Sequence, residues 1–120
     1  VYAWAPDGTR TPIPMSEAED IKNGHIVGTM ENLAAIGWST GKPHLYRDGT
    51  TAVAINTKGT AVGTGESGEP LLWSTKTPTN LPTPADFYPA SVTAMNTQDA
   101  GGFASPLDDP GAVPIRWQCR

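Results

Sequence analysis

Apolar and polar positions alternate along this chain over short stretches that stop at Gly, Pro, Asn or Asp. Thr51-Ala52-Val53-Ala54-Ile55 and Ser91-Val92-Thr93-Ala94-Met95 are typical. Such runs, rich in β-branched residues and bounded by turn formers, predict strands of about four to five residues. Only Ser16 to Lys22 reads briefly as helical, and it is too short to hold a helix by itself. The pattern predicts an all-β chain.

The alternation recurs. Ala54-Ile55-Asn56-Thr57-Lys58-Gly59-Thr60-Ala61-Val62-Gly63 is followed ten residues later by Trp73. Asp20-Ile21-Lys22-Asn23-Gly24-His25-Ile26-Val27-Gly28 is followed ten residues later by Trp38. A third copy runs from Ala94-Met95-Asn96 to Gly102-Phe103, with Trp117 at a longer distance. Trp4, Trp38, Trp73 and Trp117 are spaced by 34, 35 and 44 residues, and Ile21, Ile55 and Met95 by 34 and 40. Two independent markers share one period, the signature of a repeat architecture.

Each unit reads as four strands. The first ends at the aliphatic anchor, the second at Val27-Gly28, Val62-Gly63 or near Phe103, and the third carries the Trp. The fourth is poorer: Thr11-Pro12-Ile13-Pro14, His44-Leu45-Tyr46 and Asn80-Leu81-Pro82. Proline cannot donate to a ladder, so this strand belongs at a sheet edge. Asn56 and Gly59 suit the first and fourth positions of a β-turn, and Asn23-Gly24 suits a two-residue hairpin that needs positive φ.

Composition narrows the class. Hydrophobic residues make up 38% and charged residues 17% of the 120-residue chain, while Gly (13) and Pro (12) exceed a fifth. Four Trp and three Tyr supply anchors that a disordered chain lacks. Net charge is −4 and the eight basic residues are scattered, which excludes a phosphate-binding face and hence nucleic acid. No apolar run is long enough for a membrane-spanning helix. Val1 reads as a processed or trimmed start. The single cysteine, Cys119, reads as a small strand residue or as half of an intermolecular disulfide.

The residues Ala54-Ile55-Asn56, Gly59, Val62-Gly63 and Trp73 resemble the unit of the HAF-type extracellular repeat family of bacteria, with partial matches at Ala94-Met95-Asn96 and Ile21 to Gly28. The His-Ala-Phe triplet of that family is replaced here by Tyr2-Ala3-Trp4 and Leu71-Leu72-Trp73. The resemblance implies a β-propeller and a secreted, extracellular address, and it implies no catalytic residues.

The expected architecture is therefore repeated four-stranded antiparallel units of the β-propeller blade type, about three in an incomplete ring: a partial unit 1–17, units 18–50 and 51–87, and a partial unit 88–120. A small β-sandwich is the alternative. A repeat cannot bury its faces alone, so the end units need another protein chain or self-association.

Candidate chemistry is sparse. Gly65-Glu66-Ser67-Gly68-Glu69 fails the nucleophile-elbow pattern at its last position, and Gly37-Trp38-Ser39-Thr40-Gly41-Lys42-Pro43 fails the phosphate-loop pattern. Asp7-Gly8, Asp48-Gly49 and Asp108-Asp109 read as turn acids, with Asp108 and Asp109 the best calcium oxygens. His25 and His44 read as isolated and exposed, offering no zinc set. Trp4, Trp73 and Trp117 read as packing anchors. Trp38, flanked by Gly37 and Ser39 and followed by His44 and Tyr46, is the candidate binding patch. The expectation is a non-enzymatic module, without a cofactor, for protein–protein interaction or assembly, with a carbohydrate-binding, lectin-like propeller as the alternative.

Overall fold

The computed structural model describes all residues except 1, 5, 31–33, 40, 41, 76, 119 and 120. Its described residues form strands and turns and contain no helix. Sheet I is β1 (Tyr2–Trp4) and β2 (Arg10–Pro12). Sheet II is β3 (Glu17–Lys22), β4 (His25–Thr29), β5 (Ala35–Ser39) and β6 (Lys42–Leu45). Sheet III is β7 (Gly49–Ile55), β8 (Ala61–Gly65), β9 (Pro70–Trp73) and β10 (Thr79–Asn80). Sheet IV is β11 (Ser91–Met95), β12 (Asp99–Ala104) and β13 (Val113–Gln118). Every sheet is an antiparallel meander of sequence neighbours.

The briefly helical reading of Ser16 to Lys22 yields to the strand that the repeat ends at Ile21: Glu17–Lys22 is β3, paired with β4 from Glu17↔Thr29 to Lys22↔His25. Pairing decides it, because a six-residue stretch gains far more from a ladder than from an unsupported helical turn. The turn chemistry holds. Asn23 and Gly24 both have positive φ, 50° and 78°, and close the β3–β4 hairpin. Gly59 N–H donates to the Asn56 carbonyl at 3.1 Å with Gly59 at φ 85°.

One element of the repeat is visible only in three dimensions. The first strand of sheets II, III and IV slips register at the same place, between Ala18 and Asp20, Ala52 and Ala54, and Val92 and Ala94. Opposite each bulge stands a glycine: Gly28, Gly63 or Gly102. A Cβ there would collide with the carbonyl of Glu17, Thr51 or Ser91. The Val-Gly motif therefore marks where the second strand admits a bulge. It lies within the strand, which continues to Thr29, Gly65 or Ala104, and does not end it as the sequence suggests.

Sheets II, III and IV pack face to face in chain order, within an elongated body of 52 × 29 × 25 Å. Each sheet has an N-side face, toward its predecessor, and a C-side face. Strand alternation sorts residues between them. Val27, Ala35 and Tyr46 of sheet II and its flank meet Ile55, Ala61, Leu71 and Trp73 of sheet III. Ala54 and Val62 of sheet III, with Leu81, meet Val92, Ala100, Ala104 and Trp117 of sheet IV. Sheets II and III thus have alternate residues of one strand buried in two different cores.

Candidate functional site

The tryptophans show how one sheet grips the next. Trp73 is fully buried, and its indole N–H donates to the Arg47 carbonyl, just beyond β6, at 2.9 Å. Trp117 is 7% exposed and donates to the Pro82 carbonyl, just beyond β10, at 2.7 Å. Each Trp crosses to the sheet before its own. The anchor role expected of Trp73 and Trp117 is what the geometry supplies. Trp4 differs: it is 66% exposed. Among the described residues no preceding sheet receives it, and its ring instead has the Arg10 guanidinium at 5.9 Å.

A second grip lies at the ends of the first strands. Asp20 Oδ2 accepts the Ile55 N–H across the sheet II–III boundary at 3.0 Å. Burial pushes this carboxyl up, but the Ile55, Lys22 and Ile21 donors together hold it below the usual range. Buried Asn56 accepts the N–H groups of Lys58 and Thr60 within its own turn and donates from Nδ2 to the Asn96 carbonyl of sheet IV. Its side chain thus closes the turn and joins two sheets. Asn96 repeats the first half of this device, accepting the Gln98 and Asp99 N–H groups at 2.8 and 2.7 Å. Thr29 and Thr51 share a hydroxyl–hydroxyl hydrogen bond across the sheet II–III boundary.

The proposed patch of Trp38, His44 and Tyr46 does not form as one surface. His44 pairs with Gly37, and its ring meets Tyr46 edge-on at 5.6 Å. Gly37 leaves the space: a Cβ there would come within 2.6 Å of His44 Nε2 and 2.7 Å of the Tyr46 hydroxyl. Trp38 is one residue further along β5 and so points to the opposite face, where it packs with Ile13, Met15, Ile26 and Ile36. Trp73 takes its place beside Tyr46, with centroids 5.1 Å apart. A 190 Å³ hollow lies between sheets II and III, lined by His44, Tyr46, Gly59, Trp73, Ser74 and Thr75. Burial pushes the Tyr46 phenol up, so it stays a neutral O–H. Neither Tyr46 nor Trp73 presents an open ring for stacking against a sugar, since both are buried. The histidines also differ from expectation: both are half-buried.

The remaining candidates are turns. Asp7 Oδ1 accepts the Thr9 N–H, which with other hydrogen bonds holds the Asp7 carboxyl low, and Asp109 Oδ1 accepts the Gly111 N–H. Ser67 lies in the β8–β9 turn, its N–H bound by Glu69 Oε2 at 3.0 Å. Among the described residues no three His, Cys, Asp or Glu side chains converge as metal ligands. Cys119, the candidate disulfide residue, lies outside the described residues.

The repeat implies that the end units need a neighbour, and the structure shows which residues are open there. On the N-side face of sheet II, Ile21 is 57% exposed, whereas its repeat equivalent Ile55 is 2% exposed. On the C-side face of sheet IV, Phe103 is 45% exposed and Ala94 is exposed, whereas Ala54, equivalent to Ala94, is buried. The outer edge of β13 is also bare among the described residues, where β5 and β9 are capped by β6 and β10. Beside that edge runs a 420 Å³ groove lined by Leu81, Pro82, Arg116, Trp117 and Gln118. The repeat itself is the signal for these faces, because positions apolar in every unit are buried only where a neighbour exists.

No family model, curated protein or solved structure matches the chain.

Proposed function

We propose that this chain is a non-catalytic, secreted module of the β-propeller type that works by docking protein against its end sheets. One observation carries the reading: positions buried at the two internal sheet–sheet contacts are open at the two ends. Ile21 against Ile55 and Ala94 against Ala54 are the sharpest pairs. Apolar surface left open on a sheet face is favourable to cover, at about 25 cal/mol per Å². The propeller assignment is supported by antiparallel meanders of up to four strands, the form of a blade, packed face to face in chain order with Trp73 and Trp117 bridging successive sheets. The Ala-Ile-Asn, Val-Gly and Trp pattern supports a relationship to the HAF-type repeats and, with it, a bacterial, extracellular setting.

The test is an extended chain in which residues 74–118 are repeated after Gln118. This supplies the missing fourth strand to sheet IV and one further sheet to cover its C-side face. The expected result is a higher melting temperature and slower hydrogen exchange in β12 and β13 than in the original chain. Unchanged melting and exchange would show that these faces need no neighbour, and the docking function would be abandoned.

A further inference from the structure

The docking function leaves the partner open, and the two end faces themselves narrow it. Within the chain, a C-side face meets an N-side face twice, and both times the first strand of the later sheet lies against the earlier sheet. β7 packs on β3, β4 and β5, and β11 packs on β7, β8 and β9. β3 is the first strand of sheet II and has no such support: all its side chains are exposed except Asp20, which is half-buried. The outer half of that face is covered, because Ile13 and Met15 pack on Ile26 and Ile36. Its inner half, along β3 and centred on Ile21, is open.

Sheet IV offers the matching surface. Its C-side face carries Ala94 and Phe103 on β11 and β12, the inner strands that would meet an inner first strand. At its end stands Asn96, whose Oδ1 is held by its own turn as that of Asn56 is. Asn56 uses its Nδ2 to bind the next sheet, at the Asn96 carbonyl. Among the described residues Asn96 Nδ2 has no acceptor. The position corresponding to that accepting carbonyl in sheet II belongs to Lys22, one residue beyond Ile21.

We infer, on the footing of the docking function above, that the occupant of each end face is a second copy of this chain: the C-side face of sheet IV docks on the inner half of the N-side face of sheet II. Ile21 fills the place Ile55 fills within the chain, against Ala94, the equivalent of the Asp20 that Ile55 meets. Phe103, the equivalent of Thr29, meets the Glu17 end of β3 as Thr29 meets Thr51. The contact is heterologous, so copies join head to tail, and they close a ring or extend according to the rotation between them.

Sedimentation velocity and light scattering on the intact chain from micromolar to millimolar concentration test this. Wild type is expected to rise to at least about twice the monomer mass. Ile21→Asp disables one face and Phe103→Asp the other; both side chains are largely exposed, and circular dichroism checks that each variant folds. Ala94→Lys replaces Phe103→Asp if the latter does not fold. Each variant alone is expected to be monomeric, and an equimolar mixture to form a one-to-one dimer and nothing larger. Three results overturn the inference: a monomeric wild type, a single variant that still associates, or a mixture that stays monomeric. If wild type is monomeric while the chain extended by residues 74–118 is stabilised, the faces take a sheet but not from a second copy, and only this inference falls.

Discussion

Trp73 of sheet III packs at a 33° tilt against Tyr46 on the flank of sheet II, 5.1 Å between centroids, while its indole N–H donates to the Arg47 carbonyl. One side chain thus supplies both the largest apolar surface of the contact and a hydrogen bond that fixes its orientation. The same pairing of indole and carbonyl recurs between Trp117 and Pro82. It accounts for a Trp at these two positions more fully than bulk packing does, since Trp joins such a surface to an N–H.

Trp73→Ala is therefore expected to cost about 3–5 kcal/mol by removing a fully buried indole. Trp73→Phe keeps most of the surface and loses the hydrogen bond, for about 1–3 kcal/mol. Trp4→Ala, at an exposed indole, should change folding stability by less than about 0.5 kcal/mol. Urea titrations of dilute samples check the order.

Gly63→Ala and Gly59→Ala separate two uses of glycine. At Gly63 a methyl group collides with the Thr51 carbonyl, which a bulge holds in place. The expected loss is about 3 kcal/mol or more, with the β7–β8 pairing disturbed. At Gly59 there is open space and the cost is only that of positive φ, about 1–2 kcal/mol. Equal losses at the two sites would contradict the role given to the bulge.

Asn56 and Asn96 each close the turn after a first strand, that of Asn56 one residue longer, yet only Asn56 spans to another sheet. Asn56→Asp keeps the turn acceptor, but it sets an oxygen against the Asn96 carbonyl and buries charge. A loss of about 2 kcal/mol or more is expected. Asn96→Asp also keeps its turn acceptor and leaves its exposed end in water, so dilute samples should lose less than about 0.5 kcal/mol. Thermal melts of both variants at neutral pH make the comparison.

Asp20 links sheets II and III through the Ile55 N–H, with its carboxyl held below its ordinary value of 3.8. A depressed folded pKa means a contribution present above the unfolded value and lost as pH falls through the folded one. Glu19 acts in the opposite sense. Burial, with Glu17 nearby, raises its carboxyl above 4.5, so protonating it relieves the fold at higher pH. Stability of the wild type relative to Asp20→Asn should therefore fall below about pH 3.8, while Glu19 affects both proteins alike. A difference between the two proteins that stays flat down to pH 2 would remove the charge from the account of this contact.

The strands, their turns and the repeat were legible in the sequence because their causes are local. Asn23-Gly24 closes a hairpin whatever surrounds it, and alternation such as Thr51 to Ile55 divides residues between two faces. The candidate patch failed for a related reason. Trp38, His44 and Tyr46 are close in the chain, but parity along β5 and β6 sends Trp38 to one face and His44 and Tyr46 to the other. Likewise, Glu17 to Lys22 carries no strong local preference, and pairing with β4 made it a strand.

By itself, then, the sequence determined that the chain is all-β, where most of its strands and turns lie, and which positions recur. Tertiary structure alone decided what each recurring position is worth. Trp4 and Trp73 occupy the same place in the repeat, yet one is exposed and the other fully buried. The difference is the sheet standing opposite. Alternation tells which side chains share a face, and only packing in space tells whether that face has a neighbour.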